Sequence, residues 1–188
     1  MKKILKEIEK LLSKKSNAVI GIDGYCASGK TMLANLIAEK FDVQIIHMDD
    51  FFLPSDMRTE DRLSQAGGNV HYERFNAEVI SGLKNGAEFA YGAFSCRYGG
   101  FAEAKTVLPD KPVIIEGSYA FHPEIKAAYD LKIFMKADYE TRLERILRRN
   151  GADALEVFKS KWIPLENRYF DEFNIEEKSD IIIKQTEK

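Results

Sequence analysis

Residues Gly24-Tyr25-Cys26-Ala27-Ser28-Gly29-Lys30-Thr31 form a complete G-x-x-x-x-G-K-[ST] loop, the strongest single constraint in the chain. An apolar run, Ala18-Val19-Ile20-Gly21-Ile22, precedes it, and Met32, Leu33, Leu36 and Ile37 follow at helical spacing. That strand–loop–helix context is what the motif requires. Glycines in such a loop let backbone N–H groups converge on a phosphate with no Cβ in the way. The positive end of the following helix adds to the attraction. The stretch from Gly24 to Met32 is therefore expected to hold ATP or another nucleoside triphosphate. Lys30 is expected at the β- and γ-phosphates, and the Thr31 hydroxyl on Mg2+.

The rest of the chain reads as alternating short apolar strands and helices. Val43–His47, Pro112–Gly117, Leu131–Met135 and Asp180–Ile183 are further strand candidates, with helices expected over about 72–83, 139–149 and 154–170. Pro164 should kink or divide the last of these. This order predicts an α/β fold with a mostly parallel five-stranded sheet covered on both faces. Ile4, Leu5, Ile8, Leu11 and Leu12 make residues 1–16 an amphipathic helix rather than a secretory signal. Residues 55–70 are polar and contain Gly67-Gly68-Asn69, which predicts an exposed, mobile loop. Residues 89–108 predict a small irregular hairpin.

At 188 residues the chain has the length of one domain, and its net charge of −2 gives no field favouring nucleic acid or an anionic membrane. Two cysteines, one inside the phosphate loop, argue for a reducing, cytoplasmic setting. Cys26 itself reads as a tolerated small residue rather than an activated thiol. His47, His71 and His122 show no metal spacing. No N-K-x-D guanine motif accompanies the loop, which argues against a GTP switch. Leu63-Ser64-Gln65-Ala66-Gly67-Gly68 has the wrong order for a transporter ATPase signature.

In such sheets ligands bind beyond the carboxyl ends of the strands. The loop, Asp49 and Glu116 all follow strand ends. A carboxylate there can take the proton from an attacking hydroxyl, so Asp49 is the candidate base, with Asp50 assigned to the turn or to outer support. Glu116 is the candidate metal acid, shared with Thr31 and Asp49. Arg142, Arg145 and Arg149 stand at i, i+3 and i+7 opposite Leu143, Ile146 and Leu147, an arrangement suited to neutralising charge on a transferred phosphoryl group. Aromatic and histidine positions between residues 52 and 101 include Phe52, His71, Tyr72, Phe75, Tyr91, Phe94, Tyr98 and Phe101. Each taken singly reads as core, and the set is expected to include a stacking platform for an acceptor.

The loop, His47-Met48-Asp49-Asp50-Phe51-Phe52, Ile115-Glu116-Gly117 and Arg142-Leu143-x-Arg145 with Arg148-Arg149 together resemble the uridine kinase / phosphoribulokinase family. The Asp-Asp-Phe-Phe segment is also similar to nicotinamide riboside kinases. The resemblance runs from about Ala18 to Ile183. It implies a single kinase domain with an acceptor-binding insert over about 50–108 and an arginine-bearing lid over about 145–160. It also implies Mg2+-ATP as co-substrate and a small-molecule acceptor, a nucleoside first. Asp49, Lys30 and Arg145 would act in catalysis and Arg149 on the nucleotide, with Phe52, His71, Tyr72, Tyr91 and Arg142 toward the acceptor. Nicotinamide riboside, pantothenate or a sugar phosphate remain alternative acceptors, and a catalytically silent ATP-binding regulator is the reading furthest from these residues.

Overall fold

A computed structural model describes residues 2–95, 99–108 and 110–185. Cys96 and Tyr98 lie outside the described residues. Five strands, β1 (Val19–Gly24), β2 (Gln44–His47), β5 (Val113–Glu116), β6 (Leu131–Ala137) and β7 (Ile181–Gln185), form one parallel sheet in the order β2-β5-β1-β6-β7. The remaining pair, β3 (Phe89–Ser95) and β4 (Gly100–Val107), is the expected antiparallel hairpin, bulged between Gly92 and Phe94. The chain leaves β1 to one side and later returns to its other side. The crevice at such a reversal, beyond the carboxyl ends of the strands, is where this class of sheet receives ligands.

Alternation along the strands sends side chains into two cores. Ile20, Ile22, Ile114, Ile133 and Met135 pack with Leu33 and Ile37 of the helix Lys30–Phe41 and with Ile4 and Ile8 of the helix Lys2–Leu12. The amphipathic pattern of the N-terminal segment is thus used to cover the sheet, over a shorter span than 1–16. On the opposite face Ile46, Val113, Ile115 and Phe134 meet Phe51, Phe75, Val79, Tyr91, Tyr169 and Phe170.

Two local expectations are corrected. The polar stretch 55–70 is exposed only in its first part; Ala66 to Val70 are buried. Leu53 N–H donates to the Asn69 carbonyl at 3.1 Å and His71 N–H to the Phe51 carbonyl at 2.7 Å, so the segment folds back onto residues 51–53. Arg62 ties it down through the carbonyls of Gly68 and Val70 and a bidentate pair with Glu73. A Cβ on Gly68 would lie 1.8 Å from the Arg62 carbonyl oxygen, so the close approach requires glycine. The sequence signal, Gly-Gly among polar residues, marked close backbone approach at Gly68.

Pro164 does not divide its helix, which is continuous over 152–173. The turn before it, Phe158–Trp162, is a π turn. Widening that turn makes room for a proline ring and removes the need for its missing N–H.

Candidate active site

The phosphate loop leaves β1 at Gly24, whose φ of +136° and whose approach to the β6 backbone exclude a side chain: a Cβ would lie 2.1 Å from the Met135 carbonyl oxygen. Just before it, Asp23 is fully buried. Its carboxylate accepts the N–H groups of Gly24 (2.6 Å), Tyr119 (3.2 Å) and Phe121 (2.9 Å) and the hydroxyl of Tyr169 (2.8 Å). Burial dominates and pushes its pKa up to about 6, against the opposing effect of those hydrogen bonds and of Lys30. One carboxylate therefore fixes the loop, the segment after β5 and the helix 152–173 relative to one another. That segment includes Tyr119 at φ +75°, an uncommon conformation for a side chain of its size.

Lys30 is folded onto its own loop, donating to the carbonyls of Gly24 (2.7 Å) and Tyr25 (2.9 Å) and to Ser118 Oγ (3.2 Å). Sheet register brings the acidic groups to it. His47 of β2 and Ile22 of β1 flank Glu116 of β5. Glu116 Oε1 takes the Thr31 hydroxyl at 3.1 Å and His47 Nδ1 at 2.6 Å. The hydrogen bond to Glu116 is the main cause raising the His47 pKa.

Asp49 and Asp50 part company in the single turn Met48–Phe51. Asp50 pairs with Lys105 Nζ at 2.7 Å and accepts the Tyr91 hydroxyl at 3.1 Å, binding the turn to the hairpin. Asp49 instead borders a cavity of about 460 Å3 that Lys30, Thr31 and Glu116 also line. Its carboxyl pKa is raised, first by loss of solvation among the cavity walls, with Lys30 opposing and Glu116 reinforcing the shift.

Of the other predicted site residues, Cys26, Phe52 and Arg149 also line that cavity. The Cys26 thiol is pushed up to about 12 by burial and by Glu166, so it is not an activated nucleophile. Met32 is exposed in the first turn of its helix and is not in the cavity lining. His71, Tyr72 and Tyr91 are not in its lining. His71 caps the helix that begins at Tyr72, accepting the Arg74 N–H, and Tyr72 stacks on His122 at 4.8 Å. Tyr91 is buried against Phe51.

The arginine stripe divides. Arg142 is buried, with its guanidinium 4.5 Å from the Tyr25 ring and 3.6 Å from Glu166 Oε2. Arg145 donates to the Ala27 carbonyl at 3.1 Å and to Gln185 Oε1 at 3.3 Å. Leu147, placed on the apolar side by its spacing, is instead exposed.

Sequence reasoning missed part of the lining: Arg58, Leu63, Asn69, Ser118, Tyr119 and the group Phe158, Lys161, Trp162 and Glu166. Two signals were available. Asp23 is a carboxylate inside an apolar strand, and Glu166 shares the buried stripe of Ile163, Tyr169 and Phe170.

A divalent cation fits this chemistry. Among the described residues no three His, Cys, Asp or Glu side chains cluster as a self-sufficient metal cage. The Thr31 hydroxyl beside Glu116, with Asp49 in the same cavity, is a sparse all-oxygen set. Mg2+ is held in that way, by one or two carboxylates together with substrate phosphates.

Comparison with known proteins agrees with this arrangement. No protein-family model matches the chain. The chain is 30% identical over 183 residues to the tRNA-specific adenosine deaminase subunit tad2 of Schizosaccharomyces pombe, covering 91% of this chain and 45% of that protein. It is 28% identical over 180 residues to uridine-cytidine kinase B of Dictyostelium discoideum, covering 88% of this chain and 73% of the relative. The chain thus spans less than half the length of the first relative. The fold matches a solved structure described as a possible uridine kinase from Bacillus stearothermophilus, with a TM-score of 0.69, 18% identity, and coverage of 96% of this chain and 99% of that one. The phosphate loop, the paired aspartates after β2, the acid ending β5 and these likenesses agree with one another: the chain has a P-loop kinase fold and is similar in sequence to uridine kinase-like proteins.

Proposed function

We propose that the chain is an ATP-dependent phosphotransferase that moves the γ-phosphoryl group to a hydroxyl of a small molecule, with a nucleoside as the first candidate acceptor. One observation carries the reading: Lys30, Thr31, Glu116 and Asp49 share a single cavity with an acceptor-sized wall of Phe52, Leu63, Asn69, Phe158 and Trp162. Bound Mg2+-ATP would supply the phosphoryl group and neutralise charge on it. Thr31 and Glu116 are the residues that would hold the cation, and Lys30 would turn from the Gly24 and Tyr25 carbonyls toward the phosphates. Asp49, the carboxylate of the pair that is not committed to the hairpin, accepts the proton of the attacking hydroxyl. Arg149 lines the same cavity on the nucleotide side of the reaction, and Arg145 supports the loop from below. Residues 145–160, which include Phe158, serve as the lid, and residues 50–108 contribute Phe52, Leu63 and Asn69 to the acceptor wall.

A second acceptor class has its own observation. Arg58 and Lys161 also line the cavity. Two cations on that wall favour an acceptor carrying a carboxylate or phosphate as well as the reacting hydroxyl. Both classes are separated by one experiment: purified protein with Mg2+-ATP is screened against nucleosides, hydroxy acids and sugar phosphates for ADP release above the acceptor-free background. Lys30→Ala serves as the inactive control. Absence of acceptor-dependent ADP release across these classes would refute the reading.

A further inference from the structure

The helix 152–173 delivers a carboxylate to the phosphate loop itself. Glu166 is 3% exposed. Its Oε2 accepts the Cys26 N–H at 2.8 Å, and its Oε1 accepts the Ser118 hydroxyl at 2.6 Å. Ser118 Oγ in turn accepts Lys30 Nζ at 3.2 Å. Arg142 Nη1 stands 3.6 Å from Oε2, while the buried Nε of the same guanidinium has no hydrogen-bond partner. Cys26, Lys30, Ser118 and Glu166 all line the one cavity.

A loop of this kind attracts anions through its backbone N–H groups. Here one of those groups is already satisfied by an anion that the protein supplies. A triphosphate entering the cavity meets a carboxylate of like charge that holds donors it needs, in surroundings where like charges repel far more strongly than in water. We propose that Glu166 is an internal stand-in for phosphate, seated on the loop when no nucleotide is bound and displaced when one enters. Displacement frees the Cys26 N–H and the Ser118 hydroxyl, and it leaves the incompletely bonded Arg142 guanidinium to the phosphates. Nucleotide binding is thereby coupled to movement of the helix that carries Phe158, Lys161 and Trp162, so the acceptor wall is set only after the donor substrate is in place.

The inference rests on the nucleotide-binding reading of the loop and is independent of the acceptor. Trp162, the chain's one tryptophan, lies about one turn before Glu166 and reports on the helix. Inorganic tripolyphosphate and Mg2+-ATP are titrated into the full chain and into Glu166→Gln, with calorimetry for affinity and Trp162 emission for helix position. Glutamine keeps the shape and a hydrogen-bond acceptor but not the charge. The variant should bind both ligands about tenfold more tightly, about 1.4 kcal/mol, and its ligand-free emission should shift toward that of ligand-bound wild type. Glu166→Asp keeps the charge but withdraws it by one methylene; it should bind more tightly by a smaller factor, and it carries the test if Glu166→Gln does not fold. Wild-type or weaker affinity in the variants would overturn the proposal and make Glu166 a brace for the loop. Absence of binding by wild type as well would remove the nucleotide reading and this proposal with it, so the two failures are distinguishable.

Discussion

Asp49→Asn separates a hydroxyl kinase from its rivals. The substitution keeps size and hydrogen bonding, and the backbone at this position is held by Met48 and Phe51, both fully buried, so the carboxamide should occupy the place of the carboxylate. What is lost is the anion that takes the proton. General-base assistance is worth about 10²–10⁴ in rate, or about 3–5 kcal/mol of barrier. The structure adds a matched control. Asp50 is committed to Lys105 and Tyr91, and Lys105 is half-exposed, so Asp50→Asn should forfeit no more than about 1 kcal/mol, felt as stability rather than rate. Single-turnover rates with the best acceptor at saturating Mg2+-ATP decide between them, with ADP binding as the check that the loop is intact. Raising of the Asp49 pKa by its poorly solvated surroundings also sets a sign for wild type. The base is lost as pH falls through that raised value, so the acid limb of kcat/KM, which reports the free enzyme, should lie above the ordinary carboxylate range near about 4, and it should vanish in Asp49→Asn. If Asp50→Asn is the crippled variant, the roles are reversed. If neither loses more than about tenfold, the base assignment fails and the acceptor already presents an anion.

Three further outcomes are expected. Arg145→Ala should lower kcat by about tenfold or more with ATP affinity nearly unchanged, and an unaltered single-turnover rate would leave Arg145 as no more than a support for the loop. Gly68→Ala should destabilise the chain by about 2 kcal/mol or more, read as a lowered urea midpoint, because its Cβ would overlap the Arg62 carbonyl; an unchanged midpoint would mean that the segment 62–70 yields freely. Asp23 has a folded pKa of about 6, raised from 3.8, so the folded state holds its proton more tightly and loses stability as pH rises through that window. Asp23→Asn removes this titration: its stability deficit against wild type, measured by urea unfolding, should narrow between pH 4 and pH 6, by at most about 3 kcal/mol, and a deficit independent of pH would refute the burial argument.

The sheet is legible in the sequence because each buried strand is a short continuous apolar run, and Gly24–Thr31 marks which strand lies at the reversal. The carboxylates at strand ends are legible for the same reason: Asp49 and Glu116 interrupt apolar runs where a chain must leave the sheet. The aromatic assignments are different in kind. His71, Tyr72 and Tyr91 are spaced like any half-buried helix or strand residue, and what sends them to a cap, a stack on His122 and the Asp50 carboxylate is contact across the fold. Phe158, Lys161 and Trp162 reach the cavity through a π turn, which shifts side-chain direction by an amount that no 3.6-residue pattern encodes. Glu166 was visible as a charge on an apolar stripe, but its partner Cys26 lies 140 positions away in the sequence.

The π turn also makes the cavity wall formed by Phe158, Lys161 and Trp162 adjustable by length. Glu166 and Tyr169 anchor the downstream half of the helix to Ser118 and Asp23. Removing one residue within 158–162 would restore ordinary helical winding and rotate the upstream half by about 100° against that anchored half. Phe158 would then swing off the cavity and a different side chain would replace it, while the sheet, the loop and its carboxylate ties stayed as they are. A single-residue deletion at one turn is thus a route by which a chain of this architecture can reshape its cavity without rebuilding the phosphate loop.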